Sequence, residues 1–263
     1  MQYDQLEDDE HNGLRVRGLQ AVLLRRRYPP SKLMGSFILY SNALKNVFER
    51  TDDDSISVEI PVNLYNLIIG LVLCWGFGVN WLILKFIPFE TLISINPLIF
   101  LGGYFASCIF GVYLFKKFEA PIVSFIGYNF VVIPFGAVIN LAVHHYDPLL
   151  VMQAVKMTGA VTGTMILLGT LFPKFFERIA SALALSLLLV ILWELFDIFI
   201  LGIHHGIIDW IVVVIFCGYV GVDWGRANQI PKTVDNAIDS AAALYMDIIN
   251  LFLRILRILG GRK

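Results

Sequence analysis

Residues 235–259 read DNAIDSAAALYMDIINLFLRILRIL, a stretch apolar enough to enter a bilayer that nevertheless carries charged groups. In a helix with 3.6 residues per turn, these groups fall along one side. The residues on that side are Asp239 or Ser240, Ala243, Asp247, Asn250, Arg254 and Arg257. Charges at bilayer depth are costly and usually face a bundle interior or a water-filled cavity, so this polar stripe is a candidate functional site. The alternative is an amphipathic helix that lies on the membrane surface.

The composition of the whole chain is that of a polytopic membrane protein. Hydrophobic residues make up 57% of the sequence and charged residues 16%, and the mean hydropathy is +0.73. These values lie well outside the range of soluble globular proteins. The net charge of −1 gives no basic surface for nucleic acid. Cys74, Cys108 and Cys217 all lie in apolar segments, so we expect no disulfide framework.

Six apolar segments, each about as long as a bilayer requires, precede the final polar helix. They are Leu64–Phe86, Leu98–Phe115, Ile122–Val143, Leu149–Leu171, Ile179–Leu201 and Ile207–Val222. Because backbone groups cannot stay unpaired in lipid, and no short alternating strands are present, we predict seven helices. The chain therefore divides into a flexible tail, residues 1–60, and an all-α transmembrane domain, residues 61–263.

The basic residues of the loops predict the orientation. Lys and Arg occur before the first span and after the second, fourth and sixth, whereas the opposite loops carry almost none. We expect the protein to lie in the cytoplasmic membrane. The positive-inside rule then places the tail in the cytoplasm. Arg262 and Lys263 would lie outside if the last helix crosses fully, and inside if that helix is re-entrant or shallow. The sequence leaves both alternatives open.

A second group of charges is expected near the outer ends of the fourth and fifth spans. Lys156 lies about two turns from the outer end of the fourth span, and Glu194 and Asp197 lie three residues apart on the fifth. We expect Lys156 to meet the two carboxylates in an outer polar layer. Such a layer either holds helices together or forms the outer constriction of a cation path.

Two histidine pairs, His144 with His145 and His204 with His205, fall in turns on the outer side. Asp147 and Asp209 lie near them in the sequence, so these turns are candidate metal or pH-sensing sites, although an interfacial position alone would also explain them. The sequence shows no His-Glu-x-x-His zinc motif, no Gly-x-Ser-x-Gly and no phosphate loop. We therefore expect neither an enzyme nor a bound cofactor.

The end of the chain resembles the closing segment of the Bax inhibitor-1 family. That segment has an aspartate-bearing sixth span, a short loop and a helix of the form ALxLYLDxINLFLxLLRxxG, and residues 241–260 here read AAALYMDIINLFLRILRILG. The resemblance implies a bundle of seven helices with the last helix at its centre. It also implies a pair of aspartates linked to a pH-sensitive calcium leak, which correspond to Asp223 and Asp247. An acidic residue that some members carry in the second span is missing here.

The residues themselves also favour contact between these two aspartates. Pro231 prevents a continuous helix, so the chain turns and brings Asp223 and Asp247 to similar depth. Two carboxylates held close in a poorly solvated place are expected to share a proton and titrate as a unit. Ionising both would separate the helices and leave oxygen ligands suited to calcium. The alternative is that Asp223 balances Arg226 and Asp247 is structural.

A basic residue that engages the first aspartate in some family members corresponds by resemblance to Lys116 or Lys117. A lysine would form a weaker latch than the bidentate fork of an arginine. Arg226, one turn after Asp223, is a further candidate latch.

The function expected from the sequence is a pH-gated leak for calcium or other cations, with Asp223 and Asp247 as pH sensor and ion-binding residues. The alternative is an interaction protein without transport activity, because some bacterial members of the family restrain a membrane-bound ATP-dependent protease. The tail of residues 1–60 would then be the handle for that partner.

Overall fold

The structure is a computed structural model that describes residues 58–197 and 206–261. Within these ranges the chain forms seven long helices and one short helix, and no strand. In chain order they are α1 (Val62–Phe86), α2 (Phe89–Ile93), α3 (Pro97–Lys117), α4 (Pro121–Val143), α5 (Pro148–Leu171), α6 (Pro173–Phe196), α7 (Gly206–Ala227) and α8 (Val234–Leu259). Most of the predicted tail, and the pair His204 and His205, lie outside the described residues.

Six of the long helices, α1 and α3 to α7, are long and apolar enough to cross a membrane. The seventh, α8, has 26 residues and so is about 39 Å long at roughly 1.5 Å per residue, which also matches a bilayer. The prediction of an all-α membrane bundle is confirmed. The short helix α2, which begins after Pro88, was not predicted because five residues are too few for a periodic pattern.

Proline begins four of the long helices, since its fixed φ suits the first turn and its missing N–H is not needed there. These prolines are Pro97, Pro121, Pro148 and Pro173. The last of these prolines lies before the predicted start of its helix, α6. Helix α6 begins at Pro173 instead of Ile179, because the apolar pattern marks only the lipid-facing part of the helix and omits its charged first turns.

Helix α8 lies at the centre of the bundle and packs against α1, α4, α5 and α7. Leu244, Tyr245, Leu251 and Leu256 of this helix are at most 1% exposed. In contrast, α3 packs on α4, and α6 packs mainly on α7, so both present broad apolar faces to the outside. The bundle therefore surrounds its most polar helix with four more apolar ones.

Helix α8 also runs the full length of the bundle. At its start, the backbone N–H of Ile60, just before α1, donates to the carbonyl of Lys232 at 2.7 Å. At its end, the ring of Tyr146 from the α4–α5 turn covers Gly260, where an added Cβ would lie 2.1 Å from the ring. The two ends of α8 thus meet opposite ends of the neighbouring helices.

Glycines allow α7 to approach α5 and α6 closely. A Cβ added at Gly169 of α5 would lie 2.7 Å from the carbonyl oxygen of Gly221, and one added at Gly221 would lie 2.2 Å from the ring of Phe176. Small residues at helix crossings are the usual means of close packing in membranes. They fasten α7 to α5 and α6.

Candidate functional site

The structure brings Asp223 and Asp247 together. Asp223 lies one turn before the end of α7, Asp247 lies midway along α8, and the two carboxyl groups are close neighbours. Asp247 is 7% exposed, and the side chain of Asp223 is 13% exposed. An ionised carboxylate can only accept a hydrogen bond, so a hydrogen bond between two such groups needs a proton on one of them.

Oδ2 of Asp247 is buried and has no hydrogen-bond partner among the described residues. A buried polar atom without a partner is costly, and a proton shared with the neighbouring carboxyl of Asp223 would remove that cost. Calcium takes six to eight oxygen ligands, whereas the pair offers four carboxylate oxygens. In residues 58–197 and 206–261 no group of three or more His, Cys, Asp or Glu side chains is placed to hold a metal.

Of the three candidate latches, only Arg226 is seen close to Asp223. Its Nη1 lies 3.9 Å from Oδ1 of Asp223, one turn earlier on the same helix. Lys117 is exposed and lies over the rings of Tyr113 and Phe118, at 5.2 Å and 5.7 Å from their centroids. The side chain of Lys116 is not among those that the structure describes.

The turn between α7 and α8 is fastened by Lys232. Its Nζ donates to the carbonyls of Ala227 at 3.1 Å and Ile230 at 2.8 Å, and it lies 5.1 Å above the ring of Tyr65. Burial lowers the pKa of Lys232, and the nearby Glu59 opposes that shift. The ammonium group caps the end of α7, so the helices that carry the two aspartates are joined by a braced turn and not by a loose one.

A cluster of four charges lies at the far end of the same helices, and we call it the distal cluster. Arg254 of α8 binds Glu194 of α6, with Nη2 2.8 Å from Oε2, and its Nη1 donates to Oδ1 of Asp209 on α7 at 2.9 Å. Nη1 of Arg257 lies 3.2 Å from the same oxygen of Asp209. Two arginines and two carboxylates therefore balance each other where α6, α7 and α8 meet.

This arrangement corrects the predicted outer polar layer. Lys156 is exposed and forms no ion pair in the described chain, and the partner of Glu194 is Arg254. The reason is helical phase, because Lys156 lies about 200° around α5 from the buried Ala154 and so points away from the bundle. Asp197, at the end of α6, is fully buried.

Asp209 is the residue that the sequence interpretation missed, since it was grouped with the histidine turn. Arg254 and Arg257 lie three residues apart on one face of α8 and need carboxylates at the same depth. Asp209, in the first turn of α7, was available for that role. Asn250, which also belongs to the polar stripe, donates to the carbonyl of Met246 in its own helix at 2.8 Å.

The described histidines do not form a metal site. His144 is exposed, and its ring stacks on Phe89 with centroids 3.9 Å apart. Nδ1 of His145 lies 2.8 Å from the carbonyl of Leu141. The carboxylate of Asp147 accepts from the N–H of Leu149 at 2.7 Å and so caps α5.

Comparison with known proteins identifies the family of the chain. The family described as inhibitor of apoptosis-promoting Bax1 matches residues 60–263, which include all seven long helices. The chain belongs to the Bax inhibitor-1 family. This confirms the resemblance drawn from the closing segment.

Several relatives of this Bax inhibitor-1 protein are uncharacterized membrane proteins of bacteria. One from Streptococcus pyogenes is 29% identical over 132 residues, covering 48% of this chain and 58% of the relative. One from Vibrio cholerae is 29% identical over 114 residues, covering 43% of this chain and 50% of the relative. The chain thus matches between half and three fifths of the length of these relatives.

Proposed function

We propose that this Bax inhibitor-1 protein is a leak for calcium or other cations whose opening depends on the proton shared by Asp223 and Asp247. The observation that carries the proposal is the placement of two largely buried carboxyl groups as neighbours between α7 and the central helix α8. A contact of this kind changes its charge with pH at the junction of two helices. It supports a transport role and not a catalytic one.

In the closed state, one proton between the two carboxyl groups holds α7 against α8. Loss of that proton leaves two negative charges in contact, which repel each other strongly in a poorly solvated place. Repulsion separates the helices and exposes carboxylate oxygens, which are the ligands that calcium prefers. The leak should therefore increase as the pH rises through the titration of the pair.

The distal cluster would set the barrier at the other end of the path. A cation approaching from that end meets Arg254 and Arg257, whose charges are balanced by Glu194 and Asp209. While these four residues remain paired, they close the junction of α6, α7 and α8. Arginines at this depth would repel a cation.

We further propose that the protein lies in a cytoplasmic membrane with its tail inside the cell. The starts of α1 and α8 and the end of α7 share one end of the bundle, as the Ile60 to Lys232 hydrogen bond shows. Arg226 and Lys232 lie at that same end, and the positive-inside rule makes it cytoplasmic.

The test is ion flux through the purified full-length chain in liposomes, measured for calcium and for monovalent cations over an acid-to-neutral pH series. Calcium binding by Asp247→Asn, measured beside the parent, adds a second readout and should fall because one ligand loses its charge. Flux that is the same at every pH would reject the leak. It would favour the interaction protein, whose membrane-bound protease partner would be sought by deleting residues 1–45.

A further inference from the structure

We propose that the first turns of α5 hold an anionic phospholipid, with its phosphate at Lys156 and its acyl chain in a neighbouring apolar cavity. This end of α5 lies at the same end of the bundle as the distal cluster. Two features on one flank of the helix carry the proposal: a lysine exposed at bilayer depth, and the cavity beside it. Such a site would be present whether or not the protein conducts cations.

Lys156 lies at a depth where a positive charge needs an anion or the membrane boundary. Helix α5 has 24 residues and is about 36 Å long, whereas the hydrocarbon core of a bilayer is about 30 Å thick. In a helix centred in the bilayer, the Cα of Lys156 then lies roughly 12 Å from the start of α5 and roughly 9 Å inside the hydrocarbon. Lys156 is exposed and forms no ion pair with the described residues. Its ammonium group therefore needs a counter-charge from outside the protein.

The direction of the side chain brings this ammonium group toward the lipid headgroups. Side chains in a helix lean toward its N-terminus, and α5 begins at the membrane boundary. The stem of Lys156 therefore leans toward Met152, one turn earlier, and its charged end rises toward the turn between α4 and α5. The phosphate groups of the bilayer lie at that boundary.

A cavity of about 470 Å³ opens at the same level and is lined mostly by apolar atoms. Its wall includes His144 and Tyr146 of the turn, and Val151, Met152 and Val155 of α5. Met152 and Val155 are half-exposed, so the cavity is open toward the surrounding lipid. Its size and apolar wall suit the upper part of an acyl chain.

The cavity and Lys156 lie on one flank of α5. At about 100° per residue, Met152 lies about 160° and Lys156 about 200° around the helix from the buried Ala154. Gly159 and Gly163, at about 140° and 180°, continue this flank toward the bilayer centre. A Cβ added at either glycine would meet no atom within 4 Å. The flank therefore forms a shallow groove in which the chain can continue below the cavity.

An anionic phospholipid matches both features at once. Its phosphate carries the charge opposite to that of Lys156, and its chain is apolar like the cavity wall. A soluble anion would leave the apolar wall exposed, and a neutral apolar molecule would leave the ammonium group without a counter-charge. The carboxylate of Asp147, at the start of α5, accepts from the N–H of Leu149 and is held in the helix cap.

The experiment measures which lipids the purified full-length chain retains. The chain is mixed in detergent with equal amounts of phosphatidylglycerol and phosphatidylcholine that have the same acyl chains, and native mass spectrometry counts the bound lipids. The parent should retain phosphatidylglycerol about fivefold over phosphatidylcholine, the ratio expected for one lysine beside an anionic headgroup. Lys156→Arg should keep this preference because the charge remains, whereas Lys156→Gln should retain the two lipids equally.

Lys85→Gln is the matched control for the charge. Lys85 is also exposed and lies near the same end of the bundle, but on α1, over the rings of Trp81 and Phe86 at 4.9 Å and 5.4 Å from their centroids. Its replacement should leave the lipid ratio unchanged. Val155→Phe tests the cavity, since a larger side chain at this half-exposed position fills the space without disturbing the core and should lower the retention of both lipids.

A lipid ratio in Lys156→Gln equal to that of the parent would overturn the role of Lys156. An equal loss of preference in Lys85→Gln would show that any exposed lysine at this end suffices, and so would overturn the site. Retention in Val155→Phe as high as in the parent would overturn the role of the cavity. Displacement of phosphatidylglycerol by excess inorganic phosphate would show that the acyl chain adds nothing, and would also overturn the proposal.

Discussion

Arg254 joins the central helix to α6 through a two-pronged contact with Glu194, in which both terminal nitrogens of the guanidinium face the carboxylate and Nη2 lies 2.8 Å from Oε2. The side chains of Arg254 and Glu194 are 18% and 16% exposed. A planar pair of this kind, largely removed from solvent, is among the stronger ion contacts in proteins.

This contact predicts that Arg254→Met will destabilise the bundle by about 3 kcal/mol, because Glu194 loses its ion-pair partner and Asp209 keeps the contact with Arg257 but loses that with Arg254. Adding Glu194→Gln should recover much of the loss, since the buried carboxylate that lost its partner is then neutral. Thermal unfolding in detergent measures both changes. The control is Lys156→Met, whose exposed side chain predicts a change within about 0.5 kcal/mol. Equal losses in Arg254→Met and Lys156→Met would contradict this assignment.

The distal cluster also predicts an effect on flux. Replacing Arg254 and Arg257 with Gln leaves the carboxylates of Glu194 and Asp209 facing the path, so calcium leak should rise several-fold. Lys156→Gln removes a positive charge from the exposed face of α5 and should leave the leak unchanged. If the double arginine variant leaks no more than the parent, the arginines play no part in the barrier.

The glycine contacts of α7 predict opposite outcomes at two positions. Gly221→Ala places a methyl group about where the ring of Phe176 lies and should cost about 1–3 kcal/mol. Gly159→Ala meets no atom within 4 Å and should be neutral or stabilising by up to about 1 kcal/mol, because alanine favours a helix. Thermal unfolding in detergent distinguishes the two variants, and a loss at Gly159 as large as that at Gly221 would argue against the close approach of α7 to α5 and α6.

The crossing of α8 predicts which sites share a side of the membrane. A label at His145, in the turn beside Gly260, and a tag after Lys263 should react from one side, and a label at Gln229, between α7 and α8, from the other. Impermeant reagents applied to sealed vesicles test this. A tag after Lys263 that reacts from the same side as Gln229 would end the crossing arrangement.

Much of this architecture could be predicted from the sequence. Each span is long enough to show in the hydropathy, and the polar stripe of residues 235–259 requires other helices around it. Asp223 and Asp247 could be brought to similar depth because only a short turn with Pro231 separates their helices. Local spacing was sufficient for these features.

The distal cluster could not be predicted in the same way. Glu194 and Arg254 are sixty residues apart, and their contact depends on which helices are neighbours and on the rotation of each helix. The span lengths carry neither kind of information. Lys156 had a suitable depth and charge, but its position around α5 turns it away from the bundle, and only the packing of α5 reveals this.

The most direct test of the central claim is the pH profile of calcium flux through Asp223→Asn in liposomes, measured beside Glu177→Gln. Asparagine is close to aspartate in size and can donate to Asp247 but cannot change its charge, so flux through Asp223→Asn should no longer rise with pH. Glu177 is exposed on α6 and its replacement should leave the parent profile unchanged. If flux through Asp223→Asn rises with pH as it does in the parent, the contact of Asp223 and Asp247 is not the gate.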